Sequence, residues 1–175
     1  DDLRHWLIEP DMAAEQRDAP FLNRQQLTLV NTRTENGYRR VRGPAGSGKT
    51  MVLAGRAAAL ERDGKNVLVV AYNHTLLNYL RDTAVRFGCN RHRITWLTFH
   101  HWCKRVMAEA GRIEEYDALF HGYSELDADA REAILATAMP MLVEQTLRDP
   151  VAAVARYDAV LVDEAQDMLP EWWAA

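Results

Sequence analysis

Apolar side chains follow two spacings along this chain. In Val67-Leu68-Val69-Val70-Ala71 and Ala159-Val160-Leu161-Val162 they are consecutive, as in strands buried on both faces of a parallel sheet. Elsewhere they recur every three or four residues, as on one face of a helix. Leu27, Leu29 and Val30 predict a short helix over 23–31 with Asn23 as its N-cap, and an Ala- and Leu-rich helix is expected over Lys49–Arg62, stopped by Asp63-Gly64. Leu76, Leu77, Leu80 and Val85 predict a helix over 75–87, closed by Gly88. Residues 38–42 are expected to form a strand entering a Gly-rich turn, 94–97 a strand, and 98–110 a helix. Strands alternating with helices predict an α/β fold with a parallel sheet.

Residues 111–150 break that alternation. Asp129 and Glu132 have capping-box spacing ahead of Ile134, Leu135, Ala138 and Met139, and Pro140 and Pro150 stand where new helices could begin. The expected organisation is a linker or the tail of a preceding segment over 1–20, an α/β domain made of 21–103 and 151–175, and an acidic, all-α insertion over 104–150.

Composition narrows the class. With 48% hydrophobic and 26% charged residues in 175, the chain falls in the range of folded domains, which excludes disorder and collagen-like repeats. Its longest apolar run is far short of the roughly 20 residues needed to cross a bilayer, and the Asp1-Asp2 start resembles no signal peptide. A cytoplasmic protein with no membrane partner is expected, with Cys89 and Cys103 kept as thiols. Net charge is −4. Residues 43–102 carry eight basic side chains against three acidic ones, whereas 103–158 carry six against eleven, so a polyanion is expected to favour the first stretch.

Two motifs carry chemistry. Gly43-Pro44-Ala45-Gly46-Ser47-Gly48-Lys49-Thr50 fits G-x-x-x-x-G-K-[ST] between an expected strand and an expected helix. Its backbone N–H groups and the helix N-terminus suit phosphate oxygens. Lys49 would reach the β- and γ-phosphates and Thr50 would ligate Mg²⁺. Asp163-Glu164 follows a strand whose carboxyl end lies beside that loop in a parallel sheet. Asp163 can hold Mg²⁺, and Glu164 can orient and deprotonate a water. ATP and Mg²⁺ are the expected ligands.

Together with Asp163-Glu164-Ala165-Gln166-Asp167, the phosphate loop resembles superfamily 1 helicases of the UvrD/Rep type, which carry D-E-x-Q-D. Leu22-Asn23-Arg24-Gln25-Gln26 is similar to the family's L-N-x-x-Q element, which implies that Gln26 reads adenine. Val69-Val70-Ala71-Tyr72-Asn73 and Thr98-Phe99-His100-His101-Trp102-Cys103 resemble two further motifs. The resemblance implies that Tyr72, Asn73, Thr98, Phe99 and His100 line a single-stranded DNA track and that Gln166 couples the γ-phosphate to it. Ala71 and Tyr72 replace the more usual Phe-Thr, and His101 the usual Ser.

The implied fold is a RecA-like P-loop NTPase domain with a small all-α insertion. The implied partners are single-stranded DNA and a second RecA-like domain of the same protein, absent from these 175 residues. The implied function is ATP-dependent DNA helicase or translocase, and RNA is an open alternative. A P-loop switch that binds nucleotide without hydrolysis and a small-molecule kinase are the other readings; Glu164 speaks against the first and the D-E-x-Q-D segment against the second. From the resemblance the chain is part of a domain, with an incomplete sheet, an exposed Trp172-Trp173 and negligible ATPase in isolation. Aromatics near the basic stretch suit base stacking, but Trp96 is read as core, and Tyr72 and Phe99 remain open between the two roles. His100-His101-x-Cys103 lacks a second ligand pair for zinc.

Overall fold

The computed structural model describes residues 20–32 and 37–173. Almost all of the expected 1–20 segment therefore lies outside the described residues, as do Ala174 and Ala175. Helix α1 (Arg24–Asn31) is followed by α2 (Lys49–Arg62), β1 (Val67–Ala71), α3 (His74–Arg86), β2 (Ile94–Thr98), α4 (Phe99–Glu109), α5 (Ile113–Leu119), α6 (Ala128–Ala133), α7 (Met139–Arg148) and β3 (Ala159–Val162). Short 3-10 turns cover Arg91–Arg93, Tyr123–Glu125, Ala165–Asp167 and Pro170–Trp173.

The strands form a parallel sheet in the order β2-β1-β3, with Val67 beside Ile94 on one side and Ala159 on the other. Every residue of β1 is buried, so the unbroken apolar run marks the central strand. Its two faces serve different layers. Val67, Val69 and Ala71 pack with Ala54, Ala57, Ala58, Leu77 and Leu80 of α2 and α3. Leu68 and Val70 pack with Phe99, Met107, Tyr116, Met139 and Val143 of α4, α5 and α7. The result is an α/β sandwich with helices on both faces of a parallel sheet. The boundary expected at 103/104 falls within α4, and the helices beyond it lie directly on the sheet.

Local chemistry explains the elements near the site. Asn23 and Gln26 form a reciprocal capping box at α1. α1 comes close to α2 at Gly55, where an added Cβ would lie 3.1 Å from Val30 Cγ2.

Several expectations change. Residues 38–42 form no strand. Tyr38 and Val41 are exposed among three arginines, so the segment has no apolar face to bury. Arg39 donates instead to the Leu29 carbonyl and to Thr32 Oγ1, both at 2.9 Å, which ties it to the end of α1. β3 is not buried on both faces: Val160 is 55% exposed, because β3 pairs on one side only among the described residues. The N-cap of α6 is Asp127, not Asp129; its side chain accepts from the Ala130 N–H.

Pro140 falls in the first turn of α7, where its position in the sequence placed a helix start. α6 and α7 join through a π-helical stretch, Ile134–Ala138, which widens the turn just ahead of a residue with no N–H to donate. Trp172 is buried rather than exposed, while Trp173 is half-exposed. Cys89 and Cys103 are free thiols, buried on opposite faces of the sheet. None of the described helices is long and apolar enough to cross a membrane.

Candidate functional site

Because the strands are parallel, their carboxyl ends share one edge, where ligands bind in open α/β sheets. Tyr72-Asn73 follows β1, Thr98-Phe99-His100 lies at the end of β2, and Asp163-Glu164 follows β3. Asp163 N–H donates to the Val70 carbonyl at 3.0 Å, one residue beyond β3. The phosphate loop enters α2 beside this edge, and α2 packs against both β1 and β3.

Gly46 and Gly48 have φ of 76° and 82°, a left-handed geometry that other residues adopt only with strain. Gly48 is the N-cap of α2 without a side-chain cap, which leaves first-turn N–H groups for an anion. A Cβ on Gly43 would stand 2.6 Å from Ser47 Oγ, and one on Gly48 2.6 Å from Gln26 Nε2. Lys49 Nζ donates to the Gly43 and Pro44 carbonyls at 3.0 and 3.1 Å. It thus bridges its own loop, and reaching a phosphate requires leaving those carbonyls. Pro44 also accepts from Ser47 N–H.

Gln26 braces the loop from outside. Its Nε2 donates to the Ser47 carbonyl at 3.2 Å, and its Oε1 accepts from Asn23 N–H at 2.9 Å. Both ends of the amide read from sequence as an adenine reader are engaged by protein.

The acidic turn is built differently. Asp163 is 4% exposed, and burial pushes its carboxyl above its ordinary pKa, while the Thr50 hydroxyl, the Glu164 N–H and the Lys49 ammonium favour the charged form. Oδ1 accepts from Glu164 N–H at 3.0 Å, and Oδ2 is buried without a partner. A buried carboxylate oxygen left open beside a lysine and a threonine hydroxyl fits a hard cation, which takes oxygen ligands. Glu164 is the one non-glycine residue with positive φ, 50°, among the described residues, a strain of the kind found at functional turns. Gln166 Nε2 donates to Glu164 Oε2, so these two expected catalytic side chains meet each other.

The residues expected to touch nucleic acid divide. Tyr72 is half-exposed, and Asn73 is exposed with its side chain capping α3 by accepting from Leu76 N–H at 2.8 Å. Thr98 is buried and meets His101 Nδ1 at 2.8 Å. Phe99 is corrected to core: it is 5% exposed and stacked on Trp172, with centroids 4.4 Å apart. His100 is partly buried; burial and the neighbouring His101 lower its pKa, and its Nε2 has no partner. Trp96 is partly buried and donates to the Arg91 carbonyl.

Nor does the basic surplus gather here. Arg62, Arg86, Arg91 and Arg93 sit at helix ends or a strand start on the opposite, amino edge of the sheet. Two contributors had no local signal: His74, whose ring meets that of His101 at 4.9 Å, and Trp172. Each is recognised only from its neighbours in space.

A family model described as AAA domain matches residues 21–169, most of the chain. No curated protein and no solved structure matches it.

Proposed function

The chain belongs to the AAA domain family of P-loop NTPases, and from that premise we propose that it is the ATP-hydrolysing part of a DNA helicase or single-stranded DNA translocase of the UvrD/Rep type. The observation that carries the hydrolytic half is the unpartnered Oδ2 of buried Asp163, which lies near Lys49 and Thr50 with Glu164 next in the chain. Thr50 and Asp163 are the residues that would hold Mg²⁺, whose charge, when bound, offsets that of the phosphates. The N–H groups at Gly48–Thr50 bind phosphate oxygens, and Lys49 exchanges its loop carbonyls for the γ-phosphate. Glu164 takes the proton of the attacking water as the new bond to the γ-phosphorus forms and the bond to the bridging oxygen breaks, yielding ADP and phosphate. Gln166, bonded to Glu164, is positioned to sense that change. The DNA half rests on the motif resemblance, with Tyr72, Asn73 and His100 at the same edge as candidates; Phe99 contributes by packing.

The deciding experiment is ATP turnover by the intact protein with and without single-stranded DNA, repeated with RNA. DNA-stimulated turnover that Glu164→Gln removes, while nucleotide still binds, is the expected result. Nucleotide binding without turnover under every condition would establish the switch reading instead. Stimulation by RNA alone would move the substrate.

A further inference from the structure

Pro140 leaves a gap in the helical layer that a distant residue closes. In the π-helical stretch, Met139 N–H donates to the Ile134 carbonyl. The next carbonyl, Leu135, would take its donor from Pro140, which has none. A carbonyl so orphaned carries a desolvation cost unless something else donates to it. The Trp172 indole does, from Nε1 at 3.1 Å.

The same indole stacks on Phe99, with planes 9° apart, and meets the His100 ring edge-on at 5.1 Å. Trp172 sits in the turn Pro170–Trp173, a few residues beyond Asp163-Glu164-Ala165-Gln166. One side chain therefore joins three parts: the segment after the acidic turn of β3, the first turn of α4 at the end of β2, and the π-helical joint between α6 and α7. Beside Trp172, His100 Nε2 is buried without a hydrogen-bond partner.

We propose that Trp172 is a positioning residue for Glu164: its bond to the Leu135 carbonyl and its stack on Phe99 hold the segment after β3, so that the first turn of α4 and the acidic turn shift together. The inference rests on the reading of Glu164 as the base. Trp172 acts through the backbone that carries Glu164, not by contact with nucleotide or water.

Two substitutions in the intact protein separate positioning from simple stability. Trp172→Phe keeps an aromatic ring for Phe99 and removes the N–H. Pro140→Ala gives the Leu135 carbonyl a donor within its own helix. Trp172→Phe is expected to lower both kcat and thermal stability, kcat by about five-fold, the factor that corresponds to one neutral hydrogen bond, while the affinity for a fluorescent ATP analogue stays within about two-fold on the same scale. In the double variant, stability should return and kcat should not, because the carbonyl is satisfied but the tether is still cut. Amide exchange at residues 163–166 should remain faster than in the parent, with exchange in β1 unchanged. Recovery of kcat together with stability would reduce Trp172 to a packing residue and overturn the proposal, as would Trp172→Phe with parental kcat and exchange. If the parent protein binds ATP without turning it over, the Glu164 reading fails; exchange at 163–166 then decides the tether on its own.

Discussion

The phosphate loop and the acidic turn are neighbouring junctions at one edge of the sheet, yet they are held by different means. The loop is shaped almost wholly from within, by two left-handed glycines and the Lys49 bonds to Gly43 and Pro44, with Gln26 as its outside brace. The acidic turn contains a strained non-glycine residue, Glu164, and a buried carboxylate with one open oxygen. The segment that follows it is anchored through Trp172 to Phe99 and to a carbonyl 37 residues away. The difference teaches that the loop's shape can be encoded in eight consecutive residues, whereas the acidic turn needs the surrounding layers to be in place.

Substitutions can break that comparison at either end. The largest effect should come from Glu164→Gln, with turnover lowered by about 10²–10⁴-fold, the range for loss of a general base, and nucleotide affinity nearly unchanged by equilibrium titration. Lys49→Ala should act on the other half. Loss of one preorganised charge contact costs about 10²–10³-fold in turnover, and here the affinity for nucleotide should fall with it. If both variants lost affinity equally, the division between a binding loop and a catalytic turn would not hold.

Smaller changes test how locally the loop is held. Gly48→Ala places a Cβ 2.6 Å from Gln26 Nε2 in a left-handed residue, which should cost about 1–2 kcal/mol of stability from the backbone alone, read by denaturant unfolding. Gln26→Ala removes the outside brace and half of the capping box, with an expected loss of about 1 kcal/mol and a weaker nucleotide affinity. A stability loss without any change in affinity would show that the loop needs no brace.

The smallest effect concerns Asp163 in the nucleotide-free protein. Its pKa is raised on folding by burial, so the folded chain holds the proton more tightly than the unfolded one. Stability from this group therefore rises as pH falls through the folded pKa and levels off below the unfolded value. At neutral pH its charge opposes folding. Asp163→Asn should raise the apo melting temperature slightly near pH 7, and that advantage should shrink toward pH 4, while turnover is lost. A variant less stable than the parent at pH 7 would mean that the Thr50 hydroxyl and Lys49 outweigh burial.

Much of the architecture is legible in the chain because it depends on contacts between near neighbours. Val67–Ala71 is continuous in apolar residues since both faces of a central parallel strand are covered, and the G-x-x-x-x-G-K-T spacing specifies a loop that closes on itself. The Asn23–Gln26 capping box is likewise a matter of three residues. Where local pattern misled, the deciding partner was remote or missing from the chain's immediate vicinity. Residues 38–42 look strand-like, but Arg39 binds the end of α1. Ala159–Val162 has the composition of a buried strand, but burial depends on having a neighbour on each side. Phe99 and Trp172 carry no sign in sequence of facing one another; only the stacking of layers brought them together. Residue type and short spacing thus determined the phosphate loop, the central strand and the identity of the acids. Tertiary structure decided which aromatics are core, which carboxylate oxygen is left open and what holds the acidic turn, because burial and satisfaction of a polar group depend on atoms contributed by distant parts of the chain.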